Sequence, residues 1–294
     1  MLFTRRPLAL CAVILSVQLT FAQDFFQKTY DIQTDRAYAL AVFPDGKVAL
    51  AGHSGTASPS NLLYPLLQLT NEKGELLWSK TYPIDNKAGF NDVVVAGDGN
   101  LLLVWTGQDR SGWMKTSPNG DLIWAKWTPG TQAGTGYERI LPLQDGNYLI
   151  MGTRKEDNGT LLQPFLIKIN ENGDKIWSNQ LELTGVSNLN GVYEDAAGFL
   201  HCVGAISPAF GQSDGWFAKL GPNGALSGPV RFISSPNGAD GLIRVTGTTQ
   251  NRLLLAGASQ GFGNGNSQLW LTEVDDVGAV RWSKTYDLPG TNLI

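Results

Sequence analysis

FLIKINENGDKIWSNQ, residues Phe165–Gln180, decides how the rest of the chain is read. Two short runs, FLIKIN and KIWSNQ, flank an Asn-Gly pair, which favours the positive φ that a tight β-turn needs. Inside the stretch, GDKIW places a glycine four residues before a tryptophan. The same spacing recurs as GELLW (Gly74–Trp78), GDLIW (Gly120–Trp124) and GAVRW (Gly278–Trp282), while GALSG (Gly224–Gly228) has lost the tryptophan. With Phe26 as the first occupant of this column, successive steps are 52, 46, 53, 51 and 54 residues. A fixed period of that length marks a repeat architecture.

Two further markers keep the same period. About half a repeat earlier stands a turn followed by an apolar strand: PDGKVALAG (Pro44–Gly52), GDGNLLLVW (Gly97–Trp105), QDGNYLIMG (Gln144–Gly152), AAGFLHCVG (Ala196–Gly204) and TQNRLLLAG (Thr249–Gly257). A strand before each Gly–Trp phrase, as in WMKTSPNG and WFAKLGPNG, completes the pattern. One repeat therefore reads as four strands, A to D, for example YERILPLQ, YLIMGT, FLIKIN and KIWSNQL. No segment sustains a helical period of apolar residues, and the 35 glycines fall mainly in turns. The fold expected is all-β: a β-propeller of about five four-stranded antiparallel blades spanning residues 23–294.

These repeats resemble the tandem propeller repeats of secreted bacterial proteins, and the Gly-x-x-x-Trp phrase is similar to the tryptophan-docking motif of quinoprotein-like (PQQ-type) propellers. The resemblance implies that Trp78, Trp124, Trp177 and Trp282 wedge between adjacent blades, with Gly228 departing from the pattern. Quinoprotein enzymes are longer, usually eight-bladed, and use a disulfide and calcium ligands beside the quinone. The resemblance is to non-catalytic relatives, and no cofactor is expected.

FFQKTY near the start and RWSKTY near the end are both D strands, giving six copies of D against five of A, B and C. Either Phe26–Tyr30 is redundant in a five-bladed ring, or the chain is part of a larger propeller in which Leu288–Ile294 leads toward another strand A. Residues 1–22 read as an export signal, with Arg5 and Arg6 before an apolar stretch from Leu8 to Phe21. The expected location is secreted, periplasmic or cell-surface, with no membrane span after signal cleavage.

Charge and cysteine content exclude other classes. Without Arg5 and Arg6, the 22 basic residues fall to 20 against 26 acidic ones, so a nucleic-acid partner is not expected. Cys11 leaves with the signal and Cys202 remains alone in an apolar run, a buried structural thiol. His53 and His201 are the only histidines and lack ligand-spaced cysteines, so no metal site is expected. The acidic turns lack the spacing of calcium loops.

Candidate site residues come from one position of strand A, counted back from the A–B turn. The pairs there are Tyr38 and Ala39, Asn91 and Asp92, Glu138 and Arg139, Asn190 and Gly191, Ile243 and Arg244. Asn91, Asp92, Glu138, Arg139 and Asn190, with Tyr137 nearby, form a polar and aromatic set suited to a sugar or peptide at the channel mouth. Asp92 and Glu138 alone could act as the paired carboxylates of a glycan hydrolase. Trp113, Trp216 and Trp270 on the C strands read as core, whereas Trp105 and Trp127 break the pattern and read as exposed contacts. The B–C loops Ser54–Asn61, Lys155–Gln163, Ser207–Asp214 and Ser259–Ser267, rich in Gly, Ser and Asn, suit contacts on one rim. The function expected is a non-enzymatic binding or scaffolding module for a protein or glycan, with glycan hydrolysis second and structural filler third.

Overall fold

Alternating apolar runs closed by Asp-Gly and Asn-Gly turns form twenty strands in the computed structural model, which describes residues 35–55, 62–85, 87–128, 136–155, 161–207, 213–235, 238–262 and 267–286. The expected export signal, Cys11, Phe26–Tyr30, Leu288–Ile294 and the middle of each of the four B–C loops named above lie outside the described residues. Blade 1 comprises β1–β4 at Arg36–Val42, Val48–Gly55, Leu63–Thr70 and Leu76–Thr81; blade 2 comprises β5–β8 at Gly89–Val95, Leu101–Thr106, Ser111–Thr116 and Leu122–Trp127. Blade 3 holds β9–β12 at Gly136–Pro142, Tyr148–Lys155, Leu162–Ile169 and Lys175–Gln180. Blade 4 holds β13–β16 at Val186–Glu194, Leu200–Ser207, Asp214–Leu220 and Arg231–Ile233. Blade 5 holds β17–β20 at Asp240–Gly247, Leu253–Ser259, Gln268–Val274 and Val280–Tyr286.

Each blade is a four-stranded antiparallel meander in chain order, as the repeat predicts. The fold is a β-propeller. Strand A of each blade packs on the face of the blade before it: β5 on β1, β2 and β3, β9 on β5 and β6, β13 on β10 and β11, and β17 on β13, β14 and β15. Four apolar cores occupy the four gaps between consecutive blades. The B and C strands of blades 2, 3 and 4 are therefore covered on both sides, and β7 has no exposed residue. Cys202 lies in the third core with no exposure, where burial holds its thiol well above the usual range.

The Gly–Trp phrase acquires a physical reason. Gly120 has φ +76°, and a Cβ built on it would fall 2.8 Å from the Trp78 ring of the preceding blade. Trp124 crowds Gly173 in the same way, and Trp177 lies 2.7 Å from the Cβ position of Gly224. Only glycine leaves room for the ring and tolerates that φ. Around each contact the carbonyl of this glycine accepts a bond from a different donor: Tyr82 Oη to Gly120 at 2.7 Å, Trp113 Nε1 to Gly173 at 3.0 Å, Asn179 Nδ2 to Gly224 at 2.6 Å. Lys80 reaches Asp121 at 2.8 Å and Lys126 reaches Asp174 at 2.6 Å, so the acid after the glycine completes the clasp.

At the fourth joint Phe217 takes the place of the lost tryptophan, 2.5 Å from the Cβ position of Gly278. Gly228 itself has φ +127° and open space around it, and β16 is only three residues long. Trp282 packs on no glycine among the described residues and is 37 % exposed.

Trp216 and Trp270 are fully buried and Trp113 nearly so, as expected of core. Trp105 is a correction: it has no exposure at all. Four blades pair a glycine on strand B with a large side chain on strand C: Gly52 with Leu66, Gly152 with Phe165, Gly204 with Trp216, Gly257 with Trp270. Blade 2 reverses the pair, with Trp105 on strand B and Gly112 on strand C. The ring fills the same layer from the opposite strand. Trp127 is 45 % exposed, with the Arg110 guanidinium 5.1 Å from its ring.

Candidate functional site

Five β-bulges build the inner ring. In every blade, strand A carries one extra residue against strand B, and the unpaired residues are Tyr38, Asn91, Glu138, Asn190 and Ile243. This is the column singled out from the sequence. A bulge bends its strand and re-aims the extra side chain, which explains why residues of such different character share one structural position.

The ring then divides into groups that hold blades together and groups that are left over. Asn91 Nδ2 donates to the Tyr137 carbonyl of the next blade at 2.7 Å, and Asn190 Nδ2 to the Leu242 carbonyl of its next blade at 2.8 Å. Asp92 accepts at both oxygens, from the Val93 amide at 2.9 Å and from the Ile140 amide of blade 3 at 3.0 Å. These three side chains bond backbone groups of strand A, which is the edge of each sheet, and two of those groups lie beside the bulge of the next blade.

Tyr137 is a correction to the ring as read from the sequence. It is fully buried, lies edge-on to Trp113 and stacked with Phe165, and bonds to the Thr128 hydroxyl. Its place beside the bulge points it into the core, out of reach of a ligand.

Glu138 and Arg139 remain. Glu138 is exposed, and neither side chain has a hydrogen-bond or ion-pair partner among the described residues. Glu138 is open to water yet surrounded by protein, and burial pushes its carboxyl up from the usual range while Arg139 opposes the shift. Burial likewise pushes Asp92 up, against the Ile140 and Val93 amides and Arg139. Arg244, which donates to the carbonyls of Asn190 and Ile243, is held below its ordinary value by burial and then by the nearby charge of Arg139.

A second polar place escaped the sequence reading. A cavity of about 340 Å³ opens between the A–B turns of blades 4 and 5, lined by Tyr193, Asp195, Phe199, His201, Lys219 and Asp276 among others. His201 is 1 % exposed; its Nε2 lies 2.9 Å from Asp195 Oδ2, its ring stacks between Tyr193 and Phe217, and its Nδ1 has no partner. Ala49, Leu102, Leu149 and Leu254 occupy its register position in the other blades. In blades 2 and 3 the strand C lysine pairs with an aspartate of its own A–B turn, Lys115 with Asp98 and Lys168 with Asp145. Blade 4 has Ala197 at that turn position, and Lys219 instead reaches Asp276 of blade 5 at 3.0 Å. The departure of one blade from its repeat column was the available signal.

His201 carries a pH dependence. Burial lowers its pKa from 6.5, against the Asp195 contact, with Lys219 lowering it further and Asp276 opposing. A base depressed in the folded state is protonated first in the unfolded chain, so its contribution is intact above about pH 6.5 and is lost as pH falls toward the folded value. Urea midpoints measured from pH 7.5 to pH 5 should fall more steeply for the wild type than for His201→Leu. Parallel slopes would remove His201 from the acid response.

Among the described residues no group of three or more His, Cys, Asp or Glu is placed to hold a metal ion, and no helix is long and apolar enough to cross a membrane.

No family model matches the sequence, and no curated protein matches it. Solved structures do. The chain is similar to a puromycin hydrolase mutant complexed with PGG, at 14 % identity and a TM-score of 0.55, covering 84 % of this chain and 39 % of that one. It thus spans well under half the length of the hydrolase. A protein of unknown function from Bacteroides caccae aligns at 16 % identity over 87 % of this chain and 84 % of that one, with a TM-score of 0.49. A putative exo-β-1,3-galactanase from Bifidobacterium bifidum s17 aligns at 13 % identity over 85 % and 92 %, with a TM-score of 0.44. At these identities the likeness is one of fold.

Proposed function

We propose that this chain is an exported, non-enzymatic binding or scaffolding module that engages a protein or glycan at the mouth of its inner ring. One observation carries the reading: Asn91, Asp92 and Asn190 are committed to joints between blades, whereas Glu138 and Arg139 are presented side by side without partners. A convergent acid and base on a rigid rim suits recognition of a polar ligand. The resemblance to non-catalytic quinoprotein-like repeats agrees with it, as does an export signal at residues 1–22.

Hydrolysis is the second reading, favoured by one observation. Burial raises both Asp92 and Glu138, and a raised carboxyl is what a general acid needs. Against it, both Asp92 oxygens already accept backbone amides, one from the adjacent blade, which ties that carboxylate to the fold.

An array of neutral and charged oligosaccharides and unstructured peptides, probed with the wild type, separates the two. Binding without turnover is expected, and Glu138→Ala and Arg139→Ala should each weaken the strongest hit about tenfold, as loss of a charged contact does. Unaltered affinity in both variants would overturn the ring as the binding site. Turnover of a glycan that Glu138→Gln abolishes would establish the hydrolase instead.

A further inference from the structure

The residue that follows the bulge in strand A is Ala39, Asp92, Arg139, Gly191 and Arg244 in blades 1 to 5. Two cations of this column therefore flank blade 4, whose own contribution is a glycine. A Cβ on Gly191 would fall 2.9 Å from the Ile243 carbonyl oxygen and 3.1 Å from the Arg244 Cα. Strand A of blade 5 thus lies close against Gly191, and no side chain of this column stands between the two arginines. The Arg244 guanidinium turns back toward blade 4: its Nη1 donates to the Asn190 carbonyl at 3.2 Å, at the bulge of that blade, and to the Ile243 carbonyl at 2.9 Å. Arg139 stands one blade away on the other side, half-buried.

Neither guanidinium has an ion-pair partner among the described residues. Their charges lie near enough that Arg139, after burial, helps to hold Arg244 below its ordinary value. Asp92 feels Arg139, but both its oxygens accept backbone amides. Glu138 is an acceptor without a partner, and burial pushes its carboxyl up. Like charges brought together on a rigid scaffold and left unpaired favour an anion between them, and the planar fork of arginine fits a carboxylate.

We propose that the space beside Gly191, between Arg139 and Arg244, is a carboxylate subsite, and that the ligand is an acidic glycan whose uronate ring sets its carboxylate there and a hydroxyl on Glu138. The proposal rests on the binding reading given above and names the ligand class. Glu138 decides between a glycan and an acidic peptide. A run of acidic side chains would set a second carboxylate against it, whereas a uronate ring carries one carboxylate among hydroxyl donors. A neutral glycan would leave two guanidiniums unmatched.

The test titrates the full chain calorimetrically with fragments of pectate, alginate, hyaluronate and glucuronoxylan, each paired with its carboxyl-reduced form, and with oligoglutamate. At least one acidic glycan should bind, and its carboxyl-reduced form about tenfold more weakly or less, as loss of a charge-assisted contact does. Arg139→Gln and Arg244→Gln should each weaken the acidic glycan by a similar factor and leave binding of the reduced form unchanged. Arg139 has no partner in the fold, so its variant keeps the structure, and an unchanged thermal midpoint checks the same for Arg244→Gln. Equal affinity for the reduced form would overturn the carboxylate subsite, while a loss of both on Glu138→Ala would leave the ring as the binding site. Tighter binding of oligoglutamate would overturn the glycan, and binding that neither arginine variant alters would overturn the location. Absence of binding to every acidic glycan would overturn the proposal alone, because the ring reading is decided by the neutral oligosaccharides and peptides of the array above.

Discussion

Gly204→Ala is expected to lower the stability of the protein by about 3 kcal/mol or more, at the upper end of what overpacking costs and a large share of a typical total of about 5–15 kcal/mol. A Cβ at this position would fall inside the van der Waals shell of the Asn188 carbonyl oxygen and 2.7 Å from the Trp216 ring. The Asn188 carbonyl is main chain in the bulged strand β13, so it yields only if the bulge is undone. Undoing it moves Asn190, whose side chain joins blade 4 to blade 5. The same obstruction exists at Gly52, Gly152 and Gly257. Urea denaturation followed by tryptophan fluorescence measures the loss, with Gly97→Ala as the control because nothing lies within 4 Å of its Cβ position. A Gly204→Ala midpoint equal to the control's would mean that the bulge is soft and does not set the ring.

Trp105→Ala should cost about 3–5 kcal/mol, the usual range for removing a buried aromatic ring. Trp105 fills the layer that Phe165, Trp216 and Trp270 fill from strand C in blades 3, 4 and 5, and Gly112 opposite it supplies no side chain to close the gap. The indole Nε1 has no hydrogen-bond partner, so the loss is one of packing and apolar area with no polar contact to replace. A change below about 1 kcal/mol, within the scatter of surface substitutions, would show that β6 and β7 collapse onto the void. Comparison with Trp127→Ala is informative, since that ring is 45 % exposed and should matter far less.

Trp105 also shows where sequence reading stops. Periodicity identifies a tryptophan out of column, and an out-of-column aromatic looks like surface. The exchange with Gly112 is visible only once Trp105 and Gly112 are known to be cross-strand partners, because register is a tertiary fact. The four-strand repeat, by contrast, was legible because turn chemistry is local: Asp-Gly and Asn-Gly dictate their own φ. The Gly-x-x-x-Trp phrase was legible as a pattern, and its cause lies in the next blade, about fifty residues away, where each ring meets its glycine. The ring column was found by counting back from a turn, which located every bulge. What the side chains do there was hidden. Asn91, Asp92 and Asn190 read as ligand-binding groups because nothing in the sequence displays the amides and carbonyls that strand A of the next blade brings within their reach. Tyr137 sits next to the bulge on the opposite face of the strand, and one residue of offset carries it from solvent to core.

The joints described above are arranged in series. Every extensive contact between blades runs from one to the next, and none among the described residues returns from blade 5 to blade 1. A closed ring parts only when two joints fail together; a series parts when one does. Mechanical integrity is then governed by the weakest link; at the fourth, Phe217 with the Lys219–Asp276 pair stands where an indole packs at the first three, and β13, β14 and β15 all meet β17. Among the described residues the fifth blade is held through one joint only, so whatever covers its outer face adds to how long the whole arc stays assembled.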